Sequence, residues 1–512
     1  MAGSTSYSAC DVAICGCGPL GALLACLLVQ RGRRVVVIER HPDVFPVPRA
    51  VVIDDESLRI LQGLGLDTAI EVLPTRRMTY TDPERRRLVS MELPPDVRPL
   101  GHPVTGTFSQ PELERVLRER LRTSEGAELL LGWEVTAFED RGEDVLLRAS
   151  ADADAEAREI TARWLVGCDG GNSFVARSLD GEVEDLGFDQ DWIVMDVLAA
   201  SDAALEALPT DPEMRCEPGN AEIIFKGVHG HVRIDRLAGP PTPGELEPER
   251  VRERLAHYVE DPAPYEVQRV ARYTFNARTP RRWRQGRVLL AGDAAHLTPP
   301  FAGQGLNMGF RDAANLAFKL DLVLDGRASD ALLDTYAAER RPPTLDTIRG
   351  AIRSGQIPTA SSPIARALRG LAFLAIRTLP PLADKLRSTI IDKPPYKAGF
   401  LGSHRLAGQV LPQPTVRTAD GDEVLLDEVI GSGFVLLTTE PTDPATASDA
   451  ATLGVRVVQL GADVSDDGAL AAWLGKGVRA ALIRPDRYVF DAGAEPRDLL
   501  SRLDSALHAP TG

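Results

Sequence analysis

Three short runs in this chain place glycines and carboxylates where a phosphorylated ligand could be held. Gly16-Cys17-Gly18-Pro19-Leu20-Gly21 comes first, Cys168-Asp169-Gly170-Gly171 second, and Gly292-Asp293-Ala294-Ala295-His296 third. Glycines lacking a Cβ let backbone N–H groups close on phosphate oxygens, and carboxylates accept hydrogen bonds from sugar hydroxyls. One such run is common in a glycine-rich chain. Three of them, in this order and far apart, describe a ligand gripped at three points. That suits a long dinucleotide, FAD, better than a nicotinamide cofactor bound on a single βαβ unit.

The elements around the first run fit this chemistry. Asp11-Val12-Ala13-Ile14-Cys15 reads as a buried strand and Pro19 to Gln30 as a helix. Gly16 permits the tight turn, Gly18 lets backbone approach a pyrophosphate, and Gly21 lets helix and strand pack closely. Pro19 falls in the first helical turn, where its missing N–H costs nothing. The free N–H groups and the helix dipole then face the phosphates, an effect worth about 0.3–1 kcal/mol for a nearby anion. A second strand, Arg34-Val35-Val36-Val37-Ile38, ends at Glu39, where a carboxylate should grip a ribose hydroxyl and disfavour a 2′-phosphate. Leu20 and Arg40 adjoin these residues and complete the first group of expected cofactor contacts.

The chain has 512 residues, enough for about three domains. Its net charge is -16, from 58 basic and 74 acidic residues, which argues against a nucleic-acid partner. The apolar stretch Leu20 to Val29 has no basic leader and sits inside the glycine run, so it reads as a buried helix rather than a signal. No run approaches the roughly 18 apolar residues of a membrane span, and a soluble, cytoplasmic protein is expected. Six cysteines lie at 10, 15, 17, 26, 168 and 216, without the paired spacing of a metal site. The four in the first βα unit read as small buried apolar residues, and no metal is expected.

Residues 8–181 read as the first part of the nucleotide domain, with a segment at about 75–108 on the substrate side. Ser109 and Pro111 start an amphipathic helix through Leu121. Ala151 to Glu159 reads as a solvated acidic stretch, before the core strand Arg163 to Cys168. Residues 182–275 alternate apolar and polar side chains, as in Trp192-Ile193-Val194-Met195-Asp196-Val197, and read as an inserted antiparallel sheet. Residues 276–360 return to the nucleotide domain, with a strand at Arg287 to Ala291 and a long helix from Phe310 to about Leu324. Residues 361–405 read as a helical connector, and 406–512 as a region with strands of its own.

These residues together resemble the group A FAD-dependent aromatic hydroxylases, closest to the 3-(3-hydroxyphenyl)propanoate hydroxylase branch. The resemblance rests on Val12 to Gly21, Pro48 to Glu56, Gln110-Pro111, Gly167 to Gly171, Asn276-Ala277-Arg278, and Leu289 through Gly309 to Lys319. It extends to Arg484-Pro485-Asp486-Arg487-Tyr488, similar to that branch's thioredoxin-like C-terminal domain. The implied fold is α/β plus β: a doubly wound, Rossmann-like FAD-binding domain, an inserted antiparallel substrate domain, and a thioredoxin-like domain without cysteines. The resemblance implies that Arg49 neutralises the FAD pyrophosphate, Gln110 lies near the flavin, and Asp169 serves FAD and the nicotinamide. Asp293 would hold ribityl or ribose hydroxyls, while Pro299, Pro300, Gly303, Gly305, Leu306 and Asn307 set backbone against the flavin ring.

The implied activity is that of an NADPH- or NADH- and O2-consuming monooxygenase, monomeric or homodimeric, with non-covalent FAD. It would hydroxylate a phenolic ring through a flavin C4a-hydroperoxide. Asp54 and Asp55 stand at a helix start, where acids are ordinarily caps. Their loop should run close to the flavin, so with Pro300 they are the candidate catalytic residues. His296 reads as a packing or backbone-binding residue.

Two departures from the branch stand out. Ala176 replaces its usual Arg, with Arg177 one place later. Cys216-Glu217-Pro218-Gly219-Asn220 and His231-Val232-Arg233-Ile234-Asp235 replace Cys-Asp-Pro-x-Arg-Pro and Arg-Arg-Phe-Glu. The departures fall in the substrate sheet, making Cys216, His231 and Arg233 candidate substrate residues, with Arg215 and His229 nearby. They open a second reading, a tailoring oxygenase acting on a polycyclic, polyketide-like ring. A third is a flavin-bound scaffold or redox sensor without turnover.

Overall fold

The computed structural model describes residues 8–151 and 157–509. Its central sheet has five parallel strands in the order Ala127–Leu131, Val35–Glu39, Ser8–Cys15, Arg158–Gly167, Val288–Leu290. These strands are buried and carry near-continuous apolar runs rather than alternation. Val12, Ala13, Ile14 and Val37 are completely buried. Each fully buried Val or Ile contributes about 1.5–3 kcal/mol of transfer free energy. The helices Pro19–Gln30, Gln110–Arg122 and Gln304–Leu324 pack here. Chain order reverses between Ser8–Cys15 and Arg158–Gly167, and a crevice opens beyond the carboxyl ends of these strands, as expected at such a switch point.

A seven-stranded sheet stands over that crevice, in the order Tyr265–Pro280, Val183–Ala199, His231–Leu237, Glu222–Lys226, Glu213–Arg215, Arg77–Thr81, Arg87–Glu92. All its neighbours are antiparallel except Glu213–Arg215 with Arg77–Thr81. The alternation sorts side chains by face. Ile193, Met195, Val197, Ile224, Val232 and Ile234 pack into a core on one side with the helix Pro248–Leu255. Phe225, Arg233 and Asp235 turn the other way, to the crevice.

From residue 406 a four-stranded sheet follows, in the order Val455–Gln459, Phe434–Thr438, Ala480–Ile483, Val489–Gly493. The first pair is parallel and the other two are antiparallel. Phe434, Leu436, Leu482 and Phe490 share one continuous core with Phe318 and Leu320 of the long helix. The region is built onto the nucleotide domain, not tethered beside it.

Several elements differ from expectation. The long helix begins at Gln304, six residues before Phe310, because Gly303 (φ 59°) takes the left-handed cap position from which it can start. A Cβ there would also lie 2.8 Å from that of Val52. Asp334–Gln356 is a 23-residue helix whose internal Pro342 and Pro343 hid it. Residues 75–108 supply two strands of the crevice-side sheet, and Tyr265–Pro280 runs unbroken across position 275. The acidic stretch 151–159 lies partly outside the described residues; Arg158 and Glu159 already belong to a strand.

Candidate functional site

The crevice between the two sheets is one cleft of about 510 Å³. Gly16, Gly18, Pro19 and Leu20 form its floor with Glu39 and Arg40. Gly16 has φ 101°, and a Cβ there would meet the Cys168 carbonyl oxygen at 2.5 Å. Gly21 does not reach the cleft; it packs behind the loop, where a Cβ would lie 2.0 Å from the Gly16 oxygen. A Cβ on Gly18 would meet nothing within 4 Å. The free space is on the side where a phosphate would sit, at the N-terminus of Pro19–Gln30. Glu39 accepts from Cys17 N at 2.9 Å and His41 N at 2.9 Å, which fixes its carboxylate against the loop. Arg118 holds the other side, donating to the Cys17 carbonyl at 3.0 Å. Nothing short-range in the sequence linked Arg118 to the loop.

The Arg49 loop forms one wall. Gln110 Oε1 accepts from Ala50 N (2.6 Å) and Arg49 N (3.1 Å), while its amide donates to Glu114 Oε1 at 2.8 Å. Arg49 is left exposed to the cleft, over the Phe45 ring. Asp169 lines the cleft and accepts from Ser173 Oγ (2.5 Å) and Val175 N (3.1 Å). Arg177 also lines it, as does Asp293, whose exposed side chain has no hydrogen-bond partner among the described residues. Surrounding protein raises the Asp293 carboxyl above its ordinary range, opposed by His296 and Arg49. Pro300, Gly303, Gly305 and Leu306 bring the start of the helix Gln304–Leu324 to the same space.

Other expected residues stand behind this surface. Asn307 is buried and latches two elements: its Oδ1 accepts from Asp54 N at 3.0 Å and Ser57 Oγ at 2.7 Å, and its amide donates to the Gly303 carbonyl at 2.8 Å. Asp54 and Asp55 do not line the cleft. Asp54 caps the helix Asp55–Gln62 through Ser57 N (2.9 Å) and pairs with Arg311 and Lys393. Burial opposes its ionisation, but Arg311 and Lys393 overcome that and hold its carboxyl at about 2. Asp55 pairs with Lys393 at 2.5 Å. Burial outweighs Lys393 there and, aided by Asp54, raises Asp55 to about 6. His296 is buried, bonded to Asp312 at 2.7 Å, and Asp312 also accepts from Arg340 and Gly292 N. That arrangement is structural.

Among the candidate substrate residues, only Arg233 reaches the cleft. Cys216 is packed with Met214, Ile223 and Phe373 beneath the helix Pro363–Thr378. His231 is turned to Asp196 (2.9 Å), Arg215 to Glu217 and Glu222, and exposed His229 to Glu112. The strand alternation could have found Asp235, which is two residues from Arg233 and therefore on its face. It could likewise have paired Phe225 with Ile223.

A loop without side chains where phosphate must approach, an unpartnered carboxylate in the wall and a helix N-terminus together fit a dinucleotide carrying a flavin. Comparison agrees. Residues 9–351 match the FAD binding domain family, and the chain belongs to it; residues 408–508 match the HcaD C-terminal domain. It is thus a flavoprotein of the FAD-dependent aromatic hydroxylase group. It is 36% identical to a probable NADH-specific resorcinol 4-hydroxylase of Rhodococcus jostii (strain RHA1), over 96% of this chain and 93% of that one. To a 3-(3-hydroxy-phenyl)propionate/3-hydroxycinnamic acid hydroxylase of Klebsiella pneumoniae (strain ATCC 700721 / MGH 78578) it is 34% identical, over 94% and 91%. The solved OxyS anhydrotetracycline hydroxylase from Streptomyces rimosus superposes with a TM-score of 0.79 at 28% identity, over 98% of this chain and 100% of that one.

Proposed function

We propose that this flavoprotein uses NADH and O2 to hydroxylate a small phenol. Likeness to the resorcinol hydroxylase along nearly the whole chain carries the reading. Bound FAD would supply the redox chemistry, taking a hydride from the nicotinamide and activating O2. The glycine loop with Pro19 and Leu20 would receive the pyrophosphate, facing Arg49. Glu39, Arg40, Asp169 and Asp293 would meet the sugar and ribityl portions. N–H groups at Gly303, Gly305 and Leu306 would face negative charge gathering on the ring, which helix N-termini stabilise. The seven-stranded sheet would close the far side against water.

The C-terminal unit reads as thioredoxin-like, from its mixed four-stranded sheet with the third strand in chain order antiparallel. It has no cysteine and so no thiol chemistry. We read the protein as cytoplasmic and as a monomer or homodimer; among the described residues no helix is long and apolar enough to cross a membrane. The altered segments at 216–220 and 231–235 and the likeness to OxyS favour a second reading, oxidation of a polycyclic phenol.

The test is NADH consumption by the FAD-loaded protein with resorcinol, and separately with a polycyclic phenol, under labelled O2. Phenol-dependent consumption with gain of one labelled oxygen in the product is expected. If no phenol accelerates NADH oxidation, the protein is a flavin-bound scaffold or sensor.

A further inference from the structure

The cleft face of the substrate sheet carries a row of paired charges. Arg233 donates through Nε to Asp235 Oδ1 at 2.7 Å. Its Nη1 is taken by two backbone carbonyls of the cofactor loop, Arg49 at 2.7 Å and Pro48 at 3.3 Å. Arg269, two strands away on Tyr265–Pro280, donates to Pro48 O at 2.7 Å and to Asp196 at 2.8 Å through Nε. His231 takes the other oxygen of Asp196. Nε and Nη1 of Arg233 and the guanidinium of Arg269 are thus engaged by carboxylates of the sheet and by the loop that presents Arg49. Asp235 differs. It lines the cleft, 4% exposed, and no donor among the described residues is paired with its Oδ2. Phe225 and Phe275 flank the same space and offer apolar surface to a ring.

We infer that Asp235 selects the substrate: its Oδ2 accepts a hydrogen bond from a ring hydroxyl of a neutral polyphenol, and Arg233 positions it through the Nε–Oδ1 bond. The inference rests on the aromatic-hydroxylase reading and names the substrate class for it. On ionisation the hydroxyl proton passes to Oδ2 and the electron pair stays on the phenol oxygen, enriching the ring for attack. Burial raises the Asp235 carboxyl, Arg233 lowers it, Asp196 raises it and Arg269 lowers it, and the net shift is upward. A carboxylated substrate would instead set its charge against Asp235. A hydrogen bond to a charged acceptor is among the stronger discriminators a site can build, and losing it leaves the partner unpaired.

The test is equilibrium binding to the FAD-loaded protein, followed by flavin absorbance, with three probes: resorcinol, 1,3-dimethoxybenzene and 3-(3-hydroxyphenyl)propanoate. The wild type should bind resorcinol about tenfold or more tighter than either of the others. Asp235→Asn should weaken resorcinol by about tenfold, shift the propanoate preference in the opposite direction, and abolish the pH dependence of resorcinol binding; Asp235→Glu should restore most of it. Flavin occupancy shows whether each variant is folded. Where a variant fails to load FAD, the three wild-type constants decide alone. Equal wild-type binding of resorcinol and its dimethyl ether, tighter binding of the propanoate, or a loaded Asp235→Asn protein with unchanged constants would overturn the assignment. Oxygenation of the propanoate in tight coupling would then leave the hydroxylase reading standing without Asp235. If no phenol drives NADH oxidation, that reading itself falls.

Discussion

Tyr488 donates a 2.8 Å hydrogen bond to Glu56 Oε1, joining the C-terminal unit to the helix that starts beside the cleft. The bond belongs to a buried ionic seam. Arg484 reaches Glu339 at 2.7 Å and Asp486 at 2.6 Å, Lys319 reaches the same Glu339 at 2.8 Å, and Arg59 grips Asp427 with bonds of 2.8 and 2.6 Å. The C-terminal unit therefore neutralises charges that the nucleotide domain buries.

Removing that unit should do more than trim an appendage. Truncation before Leu406 leaves Glu56 and Arg59 facing no partner from the tail, and Lys319 and Glu339 without Arg484. Breaking a buried pair from one side costs about 3–5 kcal/mol. Arg484→Ala should thus lower the thermal midpoint by about 3–5 degrees, read by calorimetry. A midpoint within about one degree of wild type would refute the seam's structural role.

The same seam predicts an acid limit. Burial disfavours ionised Glu339, but Arg484 and Lys319 overcome it and hold the carboxyl at about 2, against 4.5 normally. Lys319 itself is lowered to about 8, since it shares that one carboxylate with Arg484 and burial wins. A depressed carboxyl stabilises the fold above its unfolded value and loses that contribution as pH falls through the folded one. Stability should therefore drop between about pH 4.5 and 2, by on the order of 3 kcal/mol from this group. Glu339→Gln, though less stable at neutral pH, should show a shallower decline across that window in denaturant titrations.

Two glycines of the first loop should fail in different ways. Gly21→Ala drives a Cβ into the Gly16 carbonyl at 2.0 Å, and backbone must move, at a cost of about 1–3 kcal/mol. Gly18→Ala meets no protein atom within 4 Å, so the apoprotein should melt as wild type does while FAD binds more weakly. Equal melting shifts for the two apoproteins would contradict this division.

Asp293 should matter to the cofactor and little to the fold, because no protein donor among the described residues pairs with it. The protein should purify yellow, with one FAD that denaturation releases. Asp293→Ala should raise the FAD dissociation constant about ten- to a hundredfold, the worth of a charge-assisted hydrogen bond. A wild-type constant from a fluorescence titration would show that the carboxylate does not touch the cofactor.

Gln110 offers a subtler test. Its side-chain oxygen organises the Arg49–Ala50 backbone, so Gln110→Ala should weaken FAD binding through the loop while Glu114→Gln, which leaves that oxygen in place, should weaken it less. Indistinguishable FAD constants for the two variants would count against this positioning role.

The first glycine loop, its flanking strand and helix, and the Glu39 turn were legible in the sequence because their determinants are local. Gly16, Pro19 and the run Val35–Ile38 act on neighbours a few residues away, so spacing alone encodes the geometry. The alternation of Trp192–Val197 likewise announced a sheet with one buried face. What the tertiary structure decided is which of the charged residues meet. Asp54 and Asp55 are held by Arg311 and Lys393, hundreds of residues later, and lie behind the site rather than in it. Cys216, just past the strand Glu213–Arg215, is covered by Phe373, and His231, on a substrate strand, is turned to Asp196. Asp235, by contrast, has one oxygen to spare. Ion pairing depends on distances across sheets and between domains, and the same Asp or Arg is a cap, a strut or a ligand according to what folding brings within about 3 Å of it.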